Sequence, residues 1–415
     1  MSLNAPNGAP RVLLVGYNGA DNTGAEAKLL VALDEVRSVL GQGAHVVVPS
    51  LNEANLRRYL REGPNLSIKP VRPSLFFLDI RKLVSESDLV LLVEGSTYMD
   101  TWSSALLWYY LLATRYAHSM KKPCLAYSVD AGKASRFDSW LIKREASKTD
   151  LIISRTQEAC DRLKQWGVEA PIEVTADNAF SFSPSQADEG LLRRVWPEAS
   201  HVVGIAAEDI YKWPVGIRLW ARRQYCYRWP YYYTHTEESL NKSERLAEGL
   251  ASEADRIVET YDNDIALLAM EGLDTIFANR ILSLMKHASR VRVFSSSDYN
   301  ASQMTSVLRS LELLITSRYH AGVLSLPNQV PMTAIGHDLR IKDLFSDLDI
   351  PELFVDHEDP NRYSSLSRNV DALFEQKGEM RAKLRGGFEQ YAERERRNPV
   401  LLRAFIESRR PGWLS

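Results

Sequence analysis

An arginine and a histidine two residues apart at the end of an apolar strand can together hold an anion and move a proton. Ser317-Arg318-Tyr319-His320-Ala321 has that form: it follows the apolar run LELLIT and leads into RYHAGVLSL, a helical segment. An anion there would meet free backbone N–H groups, a guanidinium fork and an imidazole. His320 can also exchange a proton near neutral pH. A capping and packing role is the competing reading. Four other strand ends carry unusual residues. GYNGADNTGAE (Gly16 to Glu26) sets Asn18, Asn22, Gly24 and Glu26 after RVLLVG, where small residues let a backbone approach a ligand. It is neither GxGxxG nor a Walker sequence, and a tight turn that needs Asn and Gly only for conformation explains it equally. Glu94 and Ser96 follow LVLLV, where Ser96 or Thr97 either faces a ligand or caps the next helix. Lys133, in SVDAGK, either meets an anion or is merely solvated. Asp177, in TADNAF, is either a polar cleft residue or a turn cap. His337, before Asp338, is the other histidine near a strand end.

These residues need a scaffold that brings strand ends together. RVLLVG, AHVVVPS, LVLLVEGS, PCLAYSVDA and DLIISR are apolar strands separated by helical stretches, and EVTADNAF closes the first half. The pattern restarts at HVVGIAA and continues through IALLAME, RVRVFSS, LELLITS and VPMTAIG, again with helices between. Continuous apolar strands alternating with helices predict parallel sheets covered on both faces. The expected architecture is α/β, with two Rossmann-like domains facing across a cleft: residues 10–185, then 200–360, then a charged helical segment, 361–410, that could pack back on the first domain. The polar stretch 183–199 is the linker candidate. In open parallel sheets, ligands bind outside the carboxyl ends of strands.

One segment breaks the pattern. IYKWPVGIRLWARRQYCYRWPYYYTHTEE, centred on 211–236, is aromatic and basic without a clean period. Its rings could stack on sugars, and Arg222, Arg223 and Arg228 could meet phosphates or acidic sugars, with Trp229 lining the cleft. A lid, a packing patch or a dimer interface, and hence a homo-oligomer, is the alternative, with its tryptophans as ordinary anchors.

Composition narrows the function classes. The chain has 415 residues, 45% hydrophobic and 25% charged, with 51 Lys and Arg against 53 Asp and Glu for a net charge of −2. That balance gives no sign of nucleic-acid binding. Cys124, Cys160 and Cys226 are isolated; the first two read as small core residues, and neither a disulfide framework nor a metal-ligand cluster is expected. The opening MSLNAPNGAPR lacks an apolar signal core, Met1–Leu3 read as an expression leader, and no run is long and apolar enough to span a bilayer. The expected location is cytoplasmic, at most peripheral to the inner face of the membrane through an acceptor.

GYNGADNTGAEAKL, EGSTYMD, IISRTQEACDRLKQWGV, ADNAF and LLITSRYHAGVLSLPNQVPMTAIGHDLRIKDLF, in this order, resemble the polysaccharide pyruvyl transferase family from about Arg11 to Phe345. The resemblance implies a GT-B-like fold and transfer of pyruvate from phosphoenolpyruvate, a co-substrate rather than a bound cofactor, onto sugar hydroxyls as a ketal. The acceptor would be a glycan or a lipid-linked sugar of the cell envelope. By the family's Arg-x-His-Ala motif, Arg318 maps to donor binding, beside Ser317, and His320 to acid/base work or phosphate contact. Arg340 falls where the family usually has a lysine near the same cleft, and joins Arg318 and Ser317 as a donor-binding residue. Departures lie on the N-terminal side: Asn22-Thr23-Gly24-Ala25-Glu26 replaces Asn-x-Gly-Asp-Glu, and Val93-Glu94-Gly95-Ser96 replaces a Gly-Gly-Gly-Ser loop. They bear on the acceptor more than on the donor. A nucleotide-sugar glycosyltransferase and a non-catalytic glycan-binding relative are the alternatives.

Overall fold

The computed structural model describes residues 9–414, so the leader assigned to Met1–Leu3 lies outside the described residues. Seven parallel strands form the first sheet: β1 (Arg11–Val15), β2 (His45–Ser50), β3 (Leu66–Pro70), β4 (Leu89–Leu92), β5 (Cys124–Val129), β6 (Leu151–Ser154) and β7 (Ile172–Val174). Their order is β3-β2-β1-β4-β5-β6-β7. The second half opens with β8 (Val202–Ala206). A small antiparallel sheet follows, made of β9 (Gly216–Ile217), β10 (Cys226–Arg228) and β11 (Tyr231–Tyr232). Then come β12 (Asp264–Ala269), β13 (Val291–Ser295), β14 (Leu313–Thr316), β15 (Met332–Gly336) and β16 (Phe354–Asp356). The second large sheet is ordered β13-β12-β8-β14-β15-β16, all parallel.

The central strands are buried along their length, as their unbroken apolar runs require: β4, β5, β8, β12, β14 and β15 have no exposed residue. Helices cover both sheets, and several start at side-chain caps. Asn22 accepts from Ala25 N at 3.0 Å and opens the helix Thr23–Leu40. Ser103, not Ser96 or Thr97, caps the helix Ser104–Ser119.

Several expectations need correction. β3 and β16 have no counterpart in the sequence reading, because LSIKP and FVD are short and broken by polar residues or proline. The linker candidate 183–199 is no free tether: Leu191, Leu192 and Trp196 are buried in the core of the second half, around the short helix Leu191–Val195. The segment 361–410 is three helices with divided allegiance. Lys377–Glu395 packs Met380, Leu384 and Tyr391 on the second half, with Tyr391 stacked on Phe180 at 4.3 Å. The last helix, Arg397–Arg409, buries Leu402, Phe405 and Ile406 against the first sheet.

The halves touch directly. Thr23 N donates to Met270 O at 2.8 Å, Gly272 N to Asp21 O at 3.0 Å, and Ala301 N to the Glu26 carboxylate at 3.2 Å. These bonds set the first turn of the helix Thr23–Leu40 against the ends of β12 and β13.

Candidate active site

In both sheets the strand order reverses at one point, between β1 and β4 and between β8 and β14. Such a switch point leaves a crevice at the strands' carboxyl ends. Here the two crevices share one cleft of about 1250 Å³, counted out to its mouth. Gly16, Tyr17, Asn22 and Gly24 reach it from β1, and Glu94 and Ser96 from β4. Arg318, Tyr319 and His320 come from β14, Met270 and Glu271 from β12, and Arg340 from β15. Phe76, Leu106, Tyr109, Trp102 and Trp213 give it an apolar, aromatic wall.

Arg318 points into a ring of acids. Its Nε donates to Asp274 Oδ2 at 2.9 Å, its Nη2 to Asp274 Oδ1, and its Nη1 lies 2.7 Å from Glu208 and 3.5 Å from Glu271. Burial alone would lower its pKa, but the carboxylates more than reverse that. The same burial pushes Glu208 up to about 8 and raises Glu271 and Asp274. Three acids on one guanidinium cannot all ionise cheaply in so dry a place. Ser317 serves this cage from behind: its Oγ accepts from Glu208 N at 2.8 Å and does not reach the cleft.

His320 caps a second buried network. Its Nε2 lies 3.5 Å from Asp177 Oδ2. Asp177 is fully buried and also binds Lys28 Nζ at 3.0 Å and Arg155 Nη1. Burial alone would raise its pKa; Lys28 and Arg155 outweigh that and hold it well below the usual carboxylate range. Lys28 also donates to Ser128 O, Ser128 Oγ and Asn178 Oδ1, at 3.0, 3.1 and 2.7 Å. Ser128 turns its carbonyl to that lysine from a left-handed conformation, φ 55°, which a non-glycine residue rarely adopts. Arg155 pairs with Asp130 at 2.7 Å and lies 4.2 Å over the Tyr319 ring. Burial lowers the His320 pKa although Asp177 pulls it the other way, so the ring is neutral at neutral pH. Gly24 packs against the imidazole so closely that a Cβ would land on Nδ1. Nε2, buried and facing the Asp177 carboxylate, suits the tautomer with its proton there and the lone pair on Nδ1.

The aromatic-basic segment folds over the cleft as a roof. Val215 N donates to Trp102 O at 2.9 Å, Arg228 Nη1 to Leu51 O at 2.9 Å, and Tyr231 OH to Pro73 O at 3.2 Å, all across to the first half. Tyr227 hydrogen-bonds the Tyr17 hydroxyl, which donates to Glu271 at 3.0 Å. Asn22 Nδ2 donates to the other Glu271 oxygen at 3.1 Å.

The structure thus brings Asn22, Gly24, Glu94, Ser96, Arg318, His320 and Arg340 to one cavity. Glu94 binds Tyr17 N at 3.2 Å and Ser96 N at 3.3 Å. Arg340 pairs with Asp338 and lies 5.3 Å over Trp102 and 5.8 Å over Tyr319. Other predicted residues fall elsewhere. Asn18 turns inward to Leu14 O at 3.0 Å. Glu26 accepts from Asn55 Nδ2 within the first half and from Ala301 N across to the second, and burial pushes it up to about 7. Asp177 is behind His320 rather than in the cleft. Arg222 and Trp229 lie on the outer face of the roof, because the inner face is taken by Trp213, Val215, Tyr227, Arg228 and Tyr231. Sequence reasoning missed Tyr17, Glu271, Glu208, Asp274, Lys28 and Arg155. All but Lys28 follow a strand within a few residues, a position that flags them. Lys28 sits inside a helix, and nothing local marks it as buried. Among the described residues no group of three or more His, Cys, Asp or Glu side chains is placed to hold a metal, and no helix is long and apolar enough to cross a membrane.

Comparison with known structures agrees with this architecture. The UDP-GlcNAc 2-epimerase from Neisseria meningitidis bound to UDP-GlcNAc superposes with a TM-score of 0.63 at 10% identity, over 96% of this chain and 100% of that one. The UDP-GlcNAc 2-epimerase from Methanocaldococcus jannaschii gives 0.58 at 12%, over 94% and 99%. A glycosyltransferase from Rickettsia africae gives 0.54 at 11%, over 96% and 99%. At such identities they establish the fold, two Rossmann-like domains of GT-B type. No curated protein matches the sequence. The family model for polysaccharide pyruvyl transferases matches residues 22–338, about three quarters of the chain, and with it the switch-point loops that build the cleft. This chain belongs to the polysaccharide pyruvyl transferase family.

Proposed function

We propose that this transferase moves pyruvate from phosphoenolpyruvate onto two hydroxyls of a sugar acceptor, forming a ketal. The observation that carries the reading is a pair of titratable groups in one cavity pushed in opposite directions. His320 is held neutral and Glu271 is held toward its protonated form, both chiefly by burial. Groups so separated suit a base and an acid at the same pH. His320 takes a proton from an attacking sugar hydroxyl, and the imidazolium that forms is steadied by Asp177. Glu271 gives a proton to the methylene carbon, making it a methyl group. The neighbouring carbon gains two bonds to sugar oxygens and loses its bond to the phosphate oxygen. Of the two hydroxyl protons, one balances the methyl proton and the other leaves with phosphate.

Within the cleft, donor binding rests on Arg340, with Arg228 in place of Arg318. All three Arg318 nitrogens are engaged by carboxylates, so its charge is spent on holding Glu208, Glu271 and Asp274. Arg340 and Arg228 reach the cavity with donors to spare and suit the phosphate and carboxylate of the donor. The aromatic wall suits the flat faces of a sugar. A melting scan tests this. Phosphoenolpyruvate at about 100 times its dissociation constant adds about 2.7 kcal/mol of stability. The gain disappears in Arg340→Ala, whereas UDP-sugars give none. A shift with UDP-sugars and none with phosphoenolpyruvate would refute the donor assignment.

A further inference from the structure

The roof has two faces, and the cleft explains only one. On the other, Ile217, Leu219, Trp220 and Trp229 are 59%, 58%, 89% and 58% exposed. They lie close together. Ile217 pairs with Tyr231 across β9 and β11, Arg218 N donates to Pro230 O at 2.9 Å, and Trp229 sits at the turn between β10 and β11. The Tyr231–Pro73 bond ties this edge to the start of the helix Phe76–Ser85, where Phe77 and Leu78 are also exposed. Large apolar side chains gathered on a surface, with nothing of the fold to cover them, mark a binding face.

The charge on that face says what it meets. Of the basic residues in 211–236, Arg218, Arg222 and Arg223 are exposed, while Arg228 turns in to the cleft and Lys212 pairs with Asp209; the segment holds no Asp or Glu, and Glu237 just after it is the acid beside these arginines. Arg222 and Arg223 are exposed and make no ion pair among the described residues. We propose that the outer face of this roof docks on an anionic lipid bilayer. Tryptophan rings sit at the boundary between acyl chains and headgroups, and arginines reach up from it to the phosphates. A second copy of the chain would set cations against cations. A nucleic acid would use the arginines but leave Ile217, Leu219, Phe77 and Leu78 without a role.

Flotation of the full-length protein tests this, with vesicles of phosphatidylcholine alone and of phosphatidylcholine with phosphatidylglycerol in equal parts. The protein floats with the anionic vesicles, and added salt weakens the binding. The Arg222→Ala/Arg223→Ala double variant partitions roughly 30-fold less, from about 1 kcal/mol per basic residue near the surface. Trp220→Ala/Trp229→Ala partitions at least about tenfold less. Both keep the wild-type melting temperature. If Trp229→Ala lowers it, Trp220→Ala alone, at the most exposed position, carries the test. Three results would overturn the assignment: wild type left at the bottom of the gradient with anionic vesicles at low salt, variants that float as well as wild type, or a wild-type dimer in sedimentation that the tryptophan variants dissociate. None of these readouts depends on the donor, so failure here and failure of the pyruvyl-transfer reading are separate results.

Discussion

Replacing Asp177 with Asn removes one negative charge from a place that water does not reach. Lys28 Nζ lies 3.0 Å from that carboxylate, with the two side chains 1% and 0% exposed. At an effective dielectric of about 20, two unit charges at that distance attract by about 5 kcal/mol. Arg155 keeps Asp130, but Lys28 is left with only the neutral oxygens of Ser128 and Asn178. Those oxygens soften the loss, and breaking a buried pair from one side costs about 3–5 kcal/mol. The same logic predicts a rescue. Adding Lys28→Met to Asp177→Asn removes the stranded cation, so the double variant is more stable than the single one. A pH signature goes with it. The Asp177 pKa is depressed in the folded state, so its stabilisation is present above the unfolded value of about 4 and is lost as pH falls through the folded value. The Asn variant lacks that acid limb. Urea unfolding of wild type and both variants, at neutral pH and in acid, measures all three effects. A loss under about 1 kcal/mol for Asp177→Asn, or a double variant less stable than the single, would refute the account of this network.

Gly24→Ala sets a methyl group onto the His320 ring; overpacking of this kind costs about 1–3 kcal/mol, and turnover falls at least about tenfold while the variant stays folded, as a rate assay beside a melting scan shows. The pH–rate profile has an acid limb below the ordinary histidine value, set by His320, and a basic limb above the ordinary carboxylate range, set by Glu271. Glu271→Gln abolishes the basic limb along with most of the rate, and a profile identical to wild type would remove Glu271 as the acid. Glu208 is raised to about 8, so between its unfolded value and that pH the folded state holds the extra proton and stability falls as pH rises. Glu208→Gln flattens that slope; unfolding midpoints at pH 5 and pH 8 that differ as much as in wild type would contradict it.

The parts of this molecule that a sequence displays are those built from neighbours along the chain. β1, β4, β8, β12, β14 and β15 are largely apolar runs, and helix starts such as those at Asn22, Ser103, Ser135 and Thr156 carry their caps within three residues. β3 and β16 failed that test because LSIKP and FVD are edge-side strands with little apolar sequence. The site obeys a different rule. Every group in it except Lys28 stands near a strand's carboxyl end, so position alone picks out Tyr17, Glu94, Arg155, Glu208, Glu271 and His320 together. Sequence reading picked out Glu94 and Asp177 but passed over Glu208, Glu271 and Asp274, which were the other half of the arrangement around Arg318. Arg318 resembles an anion receptor only while Glu208, Glu271 and Asp274 are out of view. They arrive from two other strands, 110 and 47 to 44 residues away along the chain, and convert a receptor into the centre of an acid cage. The roof poses the same problem in another form. Its strands are two or three residues long, too short for any period, and its rings and arginines are divided between two faces. Tyr227 and Arg228 turn in to the cleft while Trp220, Arg222 and Trp229 turn out. Composition names the chemistry of such a segment, but only the pairing of β9, β10 and β11 decides which residues meet the substrate and which meet the surroundings.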